Sequence, residues 1–426
     1  MGSPVDLAKI SHLHRLDRDF ATLQKQAVAD LLHRHNLHFA GGQPVSFSRR
    51  HFAEELERTD YFVCEKTDGI RCLLFCTQQV VDADSAPQEL YLLIDRKNDY
   101  YAVEFGYLHL PTPRGIESFH TGTILDGELI KQRSPDGERL VYLIFDCLCM
   151  DSKPTLDRHL EQRLGKVREF VDKPYRNFAK QWPQEVSPQN AVFRIEMKNM
   201  QRGYGIMMMF KDVLPRLLHG NDGLIFTCIT EEYVAGTDPH ILKWKPPHEN
   251  TIDFRLFIES FPTSADEEGE YEDYWAKPKI TIHVNHGNGV YRPHTEPYLA
   301  LTDEEWENIK KLEEQIDGRI IECFRDPHTH QWRPKIESHN GAPRFRDDKT
   351  EANHISTVNS VLESIEDGVT EQELVEHAAK IREAWKRRET QRKQVQDQKQ
   401  KEQAMQHQQQ RQQQHQQQDD DGPTYD

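Results

Sequence analysis

The spacing of apolar positions divides the chain into helical and strand-like stretches. Over residues 17–35, Phe20, Leu23, Ala27 and Leu31 recur at helical spacing and predict one amphipathic helix. Gly41-Gly42-Gln43-Pro44 predicts a turn after it. From 61 to 148 the apolar runs become short and rich in β-branched and aromatic residues. They predict strands at 61–64, 72–76, 90–95, 123–130 and 140–147. Turn-like segments such as Ser134-Pro135-Asp136-Gly137 separate them, which favours antiparallel sheets over a βαβ array. Residues 156–171 predict a helix with Leu160, Leu164 and Val167 on one face, and 206–218 predict another. Met207-Met208-Met209 within it reads as adaptable core filler. Strands at 224–229 and 242–244 follow, closed by Pro246-Pro247.

The two prolines mark a boundary near 246–252, giving a first unit over 1–247 and a second over 248–350. The second has strands at 252–260, 279–284 and 319–324, with an acidic segment at 266–273. Thr302-Asp303-Glu304-Glu305 opens a capping-box helix running to about residue 316. Short strands plus one helix suit a small five-stranded barrel of OB type. Two further apolar stripes, Val358-Val361-Leu362-Ile365 and Leu374-Ala378-Ile381-Trp385, predict helices over 351–390 that must cover a surface, the first unit being a candidate. From about residue 390 the chain is Gln-rich and ends in acids. It has little to bury, so 391–426 is expected to be disordered, with a helical extension from 371 as the alternative.

Composition narrows the class. A chain of 426 residues exceeds what one core usually supports. Lys and Arg number 54 against 71 Asp and Glu, a net charge of −17, so any contact with nucleic acid is expected at a local basic cleft. The seven cysteines form no CxxC pair and lie mostly in apolar runs. They read as reduced core thiols of a cytosolic or nuclear protein. No apolar run approaches membrane-spanning length, no signal peptide is expected, and position 6 lacks the Ser or Thr of a myristoylation site.

Six short strings carry candidate chemistry. Lys66-Thr67-Asp68-Gly69-Ile70-Arg71 reads as a nucleophilic lysine in a loop between two strands, with Asp68 and Gly69 shaping the turn, or as a plain surface turn. A lysine attacks phosphorus only as the neutral amine, and burial or nearby cations favour that form. In Asp126-Gly127-Glu128, acids inside an apolar strand need a partner. Glu128 suits a ribose-hydroxyl acceptor, a metal-site carboxylate or an exposed hairpin end. Phe145 could stack on a base or fill the core. Asp222-Gly223 leads a strand, and Asp222 could help bind a divalent ion or form a tight turn. In Leu242-Lys243-Trp244-Lys245-Pro246 alternation puts both lysines on one face, fit for a phosphate or for guarding an edge strand, and Trp244 on the other. Arg344-Phe345-Arg346-Asp347-Asp348-Lys349 could clamp a polyphosphate or be a solvated charge run. His283, His286, His328 and His330 read as loop histidines, with no ligand spacing for zinc.

Taken in order, these strings resemble the motifs of the covalent nucleotidyltransferases, the superfamily of capping enzymes and polynucleotide ligases. Thr67, Ile70, Arg71, Leu-Lys-Trp-Lys-Pro and Arg-x-Arg-x-Asp-Lys resemble the mRNA guanylyltransferases of fungal type, over about residues 40–390. In that family a tryptophan lies just before the Arg-x-Arg string. Here Trp332 is further away, across Pro334 to Pro343. The resemblance implies an α+β fold, an ATP-grasp-like nucleotidyltransferase domain of the DNA ligase and mRNA capping type with antiparallel sheets, followed by an OB-fold domain. It implies that Lys66 takes GMP from GTP as a lysyl phosphoramidate and passes it to 5′-diphosphate RNA. It further implies Arg71 and Glu128 at ribose and phosphate, Phe145 under guanine, Lys198 at the guanine edge, Lys243 and Lys245 at the α-phosphate, and Arg346, Asp348 and Lys349 at the leaving phosphates. Magnesium or manganese, a separate RNA 5′-triphosphatase (the beta subunit), the phosphorylated tail of RNA polymerase II and a nuclear site complete the expectation. Lys380, Arg382, Lys386, Arg387 and Arg388 are candidates for the tail, or a solvated helix face. The alternative is an ATP-dependent polynucleotide ligase using the same lysine chemistry.

Overall fold

The computed structural model describes residues 6–80, 86–134, 137–266, 269–337 and 340–420. Two sheets build the first unit. Sheet I runs in the order Leu13–Arg15, Tyr100–Val103, Gln88–Asp95, Ile70–Gln79, Thr123–Ser134, Gly137–Met150, Lys153–Pro154, with Arg194–Met197 pairing parallel to Gly137–Met150. Its central strands are apolar on both faces because both are covered. Helix Arg18–Leu31 lies on one, where Val28 packs with Leu73, Leu92 and Ile94. The helical segment Leu160–Gln181 covers the other, where Val167, Val171 and Phe178 meet Leu74, Leu125 and Tyr142.

Sheet II runs Gln201–Arg202, Tyr61–Thr67, Asn221–Cys228, Gly236–Trp244, Gly42–Ser46. The chain passes from sheet II to sheet I at Asp68-Gly69, between strands Tyr61–Thr67 and Ile70–Gln79. The Gly41–Pro44 turn expectation is corrected here. Gly42–Ser46 is an edge strand paired parallel to Gly236–Trp244, which a local turn signal cannot reveal. The helix expected over 206–218 is broken into Ile206–Met208, a wider turn at Met209–Val213 and a 3₁₀ turn at Leu214–Arg216. Met209 is buried core, whereas Met207 and Met208 are exposed.

The second unit is a five-stranded antiparallel sheet in the order Tyr291–Tyr298, Lys279–Asn285, Thr251–Ser260, Ile320–Arg325, Trp332–Pro334. Its two ends meet at a parallel bridge between Leu299 and Trp332. The capping box of Thr302 and Glu305 is formed, and its helix ends at Lys310. Trp332 is wholly buried, edge-on to Phe254 and His294, as part of this core. The acidic segment forms a separate hairpin of Thr263–Asp266 and Gly269–Glu272.

After the second unit the chain returns. Helix Ile355–Glu366 packs Val358, Val361 and Leu362 on the barrel-type sheet. The next helix, Glu371–Asp420, places Leu374 and Ile381 in the core of sheet II. Each such side chain contributes roughly 1.5–3 kcal/mol on burial. The indole Nε1 of Trp244 donates to the Val369 carbonyl at 2.7 Å, and Arg388 and Arg392 both pair with the buried Asp60. The outgoing connector at Pro247 and the returning one at Gly368 lie side by side: a Cβ on Gly368 would sit 3.1 Å from Pro247. The expected disorder from residue 391 is corrected over 391–420, where the backbone continues this helix; 421–426 lie outside the described residues. All seven cysteines are free and buried. No helix among the described residues is long and apolar enough to cross a membrane.

Candidate active site

The crossing between the sheets assembles the site. Lys66 is on the strand Tyr61–Thr67 itself, one residue from its end, and not in the loop the sequence suggested. Asp68 and Gly69 make the crossing, with Asp68 N–H bonded to Gly220 O at 3.1 Å. A Cβ at Gly69 would lie 2.7 Å from both the Leu129 carbonyl and Ile130, so only glycine allows the two sheets to approach there.

Successive strand residues point to opposite sides. Lys66 Nζ reaches Asp222 Oδ1 at 2.7 Å, and Lys245 Nζ reaches Asp222 Oδ2 at 2.7 Å. Asp222 sits at a bulge in Asn221–Cys228, between the paired residues Asn221 and Leu224. Bulges re-aim a side chain. Gly223 beside it has φ +152°, and a Cβ would fall 2.0 Å from the Trp244 carbonyl oxygen. Burial raises the Asp222 pKa, but Lys66 and Lys245 outweigh it and hold the carboxyl below its ordinary value. Lys243 is depressed by burial and by the charges of Lys245, Lys66 and Arg96. Trp244 faces away into the sheet II core, as alternation required.

Thr67 turns the other way. Its hydroxyl donates to Glu128 and accepts from Lys198 Nζ at 2.9 Å. Lys198 is almost wholly buried, with Glu65 at 3.8 Å and the Phe145 ring centroid at 6.0 Å. Phe145 stands at a bulge between Ile144 and Asp146, which takes it out of the regular ladder and leaves it half-buried. The Arg71 guanidinium lies 5.3 Å from the same ring. Arg71 is held bidentately by the fully buried Asp126, Nε–Oδ1 3.0 Å and Nη2–Oδ2 2.6 Å, and donates to the Gly42 carbonyl. Burial works against the guanidinium's charge, and Asp126 more than offsets it.

Lys66, Asp222, Lys243 and Lys245 therefore form one cluster on sheet II. Arg71, Glu128, Phe145 and Lys198 form a second beside it, joined by Thr67. Arg346, Asp348 and Lys349 are not brought to either. Arg346 pairs with Asp348 at 2.9 Å and with Asp253 at 3.3 Å, and Lys349 pairs with Asp253. Their partners belong to the second unit or to the string itself. Tyr233 was not singled out from the sequence, and Thr67 and Asp126 were named there without a role of their own. Asp126 carried a usable signal, an acid inside an apolar run that must be paired. Tyr233 carried none.

Two family models match the chain: "mRNA capping enzyme, catalytic domain" over residues 11–247, and "mRNA capping enzyme, C-terminal domain" over 249–375. The chain belongs to the mRNA capping enzyme family. Capping-family relatives include the "mRNA-capping enzyme subunit alpha" of Neurospora crassa, 45% identical over 394 residues that cover 88% of this chain and 93% of that protein. The protein of the same name in Schizosaccharomyces pombe is 41% identical over 369 residues, 86% of this chain and 87% of that one. The solved ATP-dependent DNA ligase of bacteriophage T7, in complex with ATP, is similar at a TM-score of 0.33 and 14% identity, over 72% of this chain and 98% of that chain.

A divalent ion was expected at Asp222. In this capping-family chain both Asp222 oxygens already accept from lysines. Among the described residues no group of three His, Cys, Asp or Glu side chains converges to hold an ion. Asp222 stands here as a carboxylate bridging Lys66 and Lys245. Of the five basic residues that were candidates for the polymerase tail, Arg388 is half-buried on Asp60 and Arg382 lies over the Tyr204 ring, while Lys380, Arg382, Lys386 and Arg387 are exposed.

Proposed function

We propose that this chain is a GTP:mRNA guanylyltransferase working through a covalent lysyl–GMP intermediate. The observation that supports it best is the amine of Lys66, 2.7 Å from Asp222, with Lys245 sharing that carboxylate. Lys243 adds a cation with no carboxylate of its own among the described residues. The Lys66 nitrogen loses a proton and attacks the α-phosphorus of GTP; the bond to the β-phosphate oxygen breaks and pyrophosphate leaves. Lys243 and Lys245 stabilise the charge on the α-phosphate as it is transferred. The GMP then passes to the terminal phosphate of 5′-diphosphate RNA, the nitrogen–phosphorus bond breaking as the GpppN linkage forms.

Phe145 offers a ring to stack on the base, and Arg71 and Glu128 meet the ribose side. Lys198 supplies the preference for guanine. An ammonium has three donors and no acceptor, so it suits the guanine O6 carbonyl and not the amino group of adenine. Arg346, Asp348 and Lys349 reach the β- and γ-phosphates when the second unit rotates over the pocket. Magnesium or manganese, carried on the nucleotide phosphates, would need few protein ligands beyond Asp222 and would neutralise phosphate charge there. The relatives' name, subunit alpha, supports a partner subunit, which we take to be an RNA 5′-triphosphatase. The phosphorylated tail of RNA polymerase II and a nuclear location complete the reading.

The test is covalent labelling with α-labelled GTP and α-labelled ATP, on wild type and Lys66→Ala. Label from GTP alone, lost in Lys66→Ala, is expected. Label from ATP alone would point to the ligase reaction, and label persisting in the variant would remove Lys66 as the nucleophile.

A further inference from the structure

Tyr233 belongs to none of the motif strings, yet its hydroxyl completes the set of groups around Arg71. It is buried in the loop between strands Asn221–Cys228 and Gly236–Trp244, and its backbone N–H is tied to Leu156 O at 2.8 Å. The phenol donates to Asp126 Oδ2 at 2.5 Å and accepts from Gly42 N–H at 2.9 Å, with Arg71 Nη2 at 3.5 Å. Asp126 in turn grips Arg71 through both oxygens. The Gly42 residue that donates to Tyr233 also accepts from Arg71 Nη1 through its carbonyl.

These contacts form a closed circuit, Arg71 to Asp126 to Tyr233 to Gly42 and back to Arg71, drawn from both sheets. A guanidinium has five N–H donors. The Asp126 carboxylate takes Nε–H and one Nη2–H, Gly42 takes one Nη1–H, and Tyr233 stands at the edge of reach for the other Nη2–H. The second Nη1–H is left over. On the far side of its ring Tyr233 meets Arg163 at 5.6 Å, which holds the buried Asp146 at 2.6 Å, directly after Phe145. Tyr233 thus stands between two buried Arg–Asp pairs beneath the Arg71–Phe145 platform. Its hydroxyl ties Asp126 to the N–H of Gly42 on the edge strand Gly42–Ser46, on the opposite side of the circuit from Arg71, which binds both Asp126 and the Gly42 carbonyl.

We infer that Tyr233 is a positioning residue for the nucleotide: by fixing the Asp126 carboxylate it holds the Arg71 guanidinium in the orientation that offers its remaining N–H to the ribose. The inference rests on the reading of Arg71 as a nucleotide-binding residue. A ribose contact made equally before and during phosphoryl transfer changes KM and not kcat. Loss of a hydrogen bond to a charged group corresponds to roughly tenfold in affinity.

The experiment measures lysyl–GMP formation by Tyr233→Phe, Arg71→Ala and wild type, with GTP and with 3′-deoxyGTP. Tyr233→Phe is expected to raise KM for GTP roughly tenfold while kcat stays within about twofold, and to narrow the preference for GTP over 3′-deoxyGTP. Both nucleotides are compared on one preparation, so a loss of folded enzyme cancels in that ratio. If Arg71→Ala raises KM and Tyr233→Phe changes neither KM nor the ratio, the inference is overturned and the reading of Arg71 stands. A fall in kcat at unchanged KM and ratio overturns it as well. If Arg71→Ala leaves KM unchanged, the reading of Arg71 fails and takes the inference with it.

Discussion

Lys243→Met is expected to make the fold more stable and the enzyme nearly inactive. Lys66 and Lys245 share the Asp222 carboxylate, each at 2.7 Å, but no carboxylate pairs with Lys243 among the described residues. Its charge is opposed first by burial and then by Lys245, Lys66 and Arg96. The folded-state pKa is lowered from 10.5, so the unfolded chain binds the proton more tightly than the folded one. The cost to stability is therefore fully present at neutral pH, shrinks as pH rises through the folded-state value, and vanishes by the unfolded value near 10.5. Methionine fills a similar volume without charge, and removing such a cost is worth about 1 kcal/mol, or roughly 1 °C in Tm for a chain of this size. Losing a cation that steadies the transferring phosphate costs on the order of 10²–10³ in rate. Thermal melts of wild type and Lys243→Met across a pH series, run beside GMP labelling, read both effects. A variant less stable than wild type at neutral pH, a stability gap that does not close as pH rises, or labelling at the full rate would refute the reasoning.

Trp244→Phe leaves the buried Val369 carbonyl without its donor, and an unpaired buried polar group costs roughly 1–3 kcal/mol. Urea denaturation is expected to show that loss, and an unchanged midpoint would mean that this hydrogen bond adds nothing to the hold on the returning chain. Lys198→Met removes the donor-only group beside Phe145 and is expected to lower GTP labelling at least tenfold, on the scale of a charged hydrogen bond, with a much smaller change for ATP. Equal losses with both nucleotides would take Lys198 off the guanine edge.

The strands and the charged strings were legible because their signals are local. Apolar runs of five to eight residues mark sheet strands, and the Lys-x-Asp-Gly and Leu-Lys-Trp-Lys-Pro strings carry their spacing with them. What escaped depends on partners distant in sequence. Gly42–Ser46 reads as a turn until Gly236–Trp244 offers it a parallel ladder. Phe145 and Asp222 owe their presentation to bulges, and a bulge is a property of two strands in register, not of one. Tyr233 meets Asp126 across 107 residues with no periodicity to announce it. The Gln-rich segment was judged by what it could bury. Glutamine is a good helix former, and a helix already nucleated by Leu374 and Ile381 on sheet II needs little further reason to continue. Composition describes a segment in isolation, and this one is not isolated.

The contact between Trp244 and Val369 joins residues 125 positions apart, with the whole second unit between them. The first unit is consequently the last to be finished. As the chain leaves the ribosome, the part of the sheet II core that Val369, Leu374 and Ile381 cover must wait uncovered until the second unit and the following helix have emerged. A message that ends early, anywhere in the second unit, yields a protein with that part of the core exposed, a surface that chaperones and proteases recognise. Completion of the sheet II core thereby reports that translation has passed the second unit, so a chain with a finished Lys66 strand core is one that also carries the Arg346–Lys349 string.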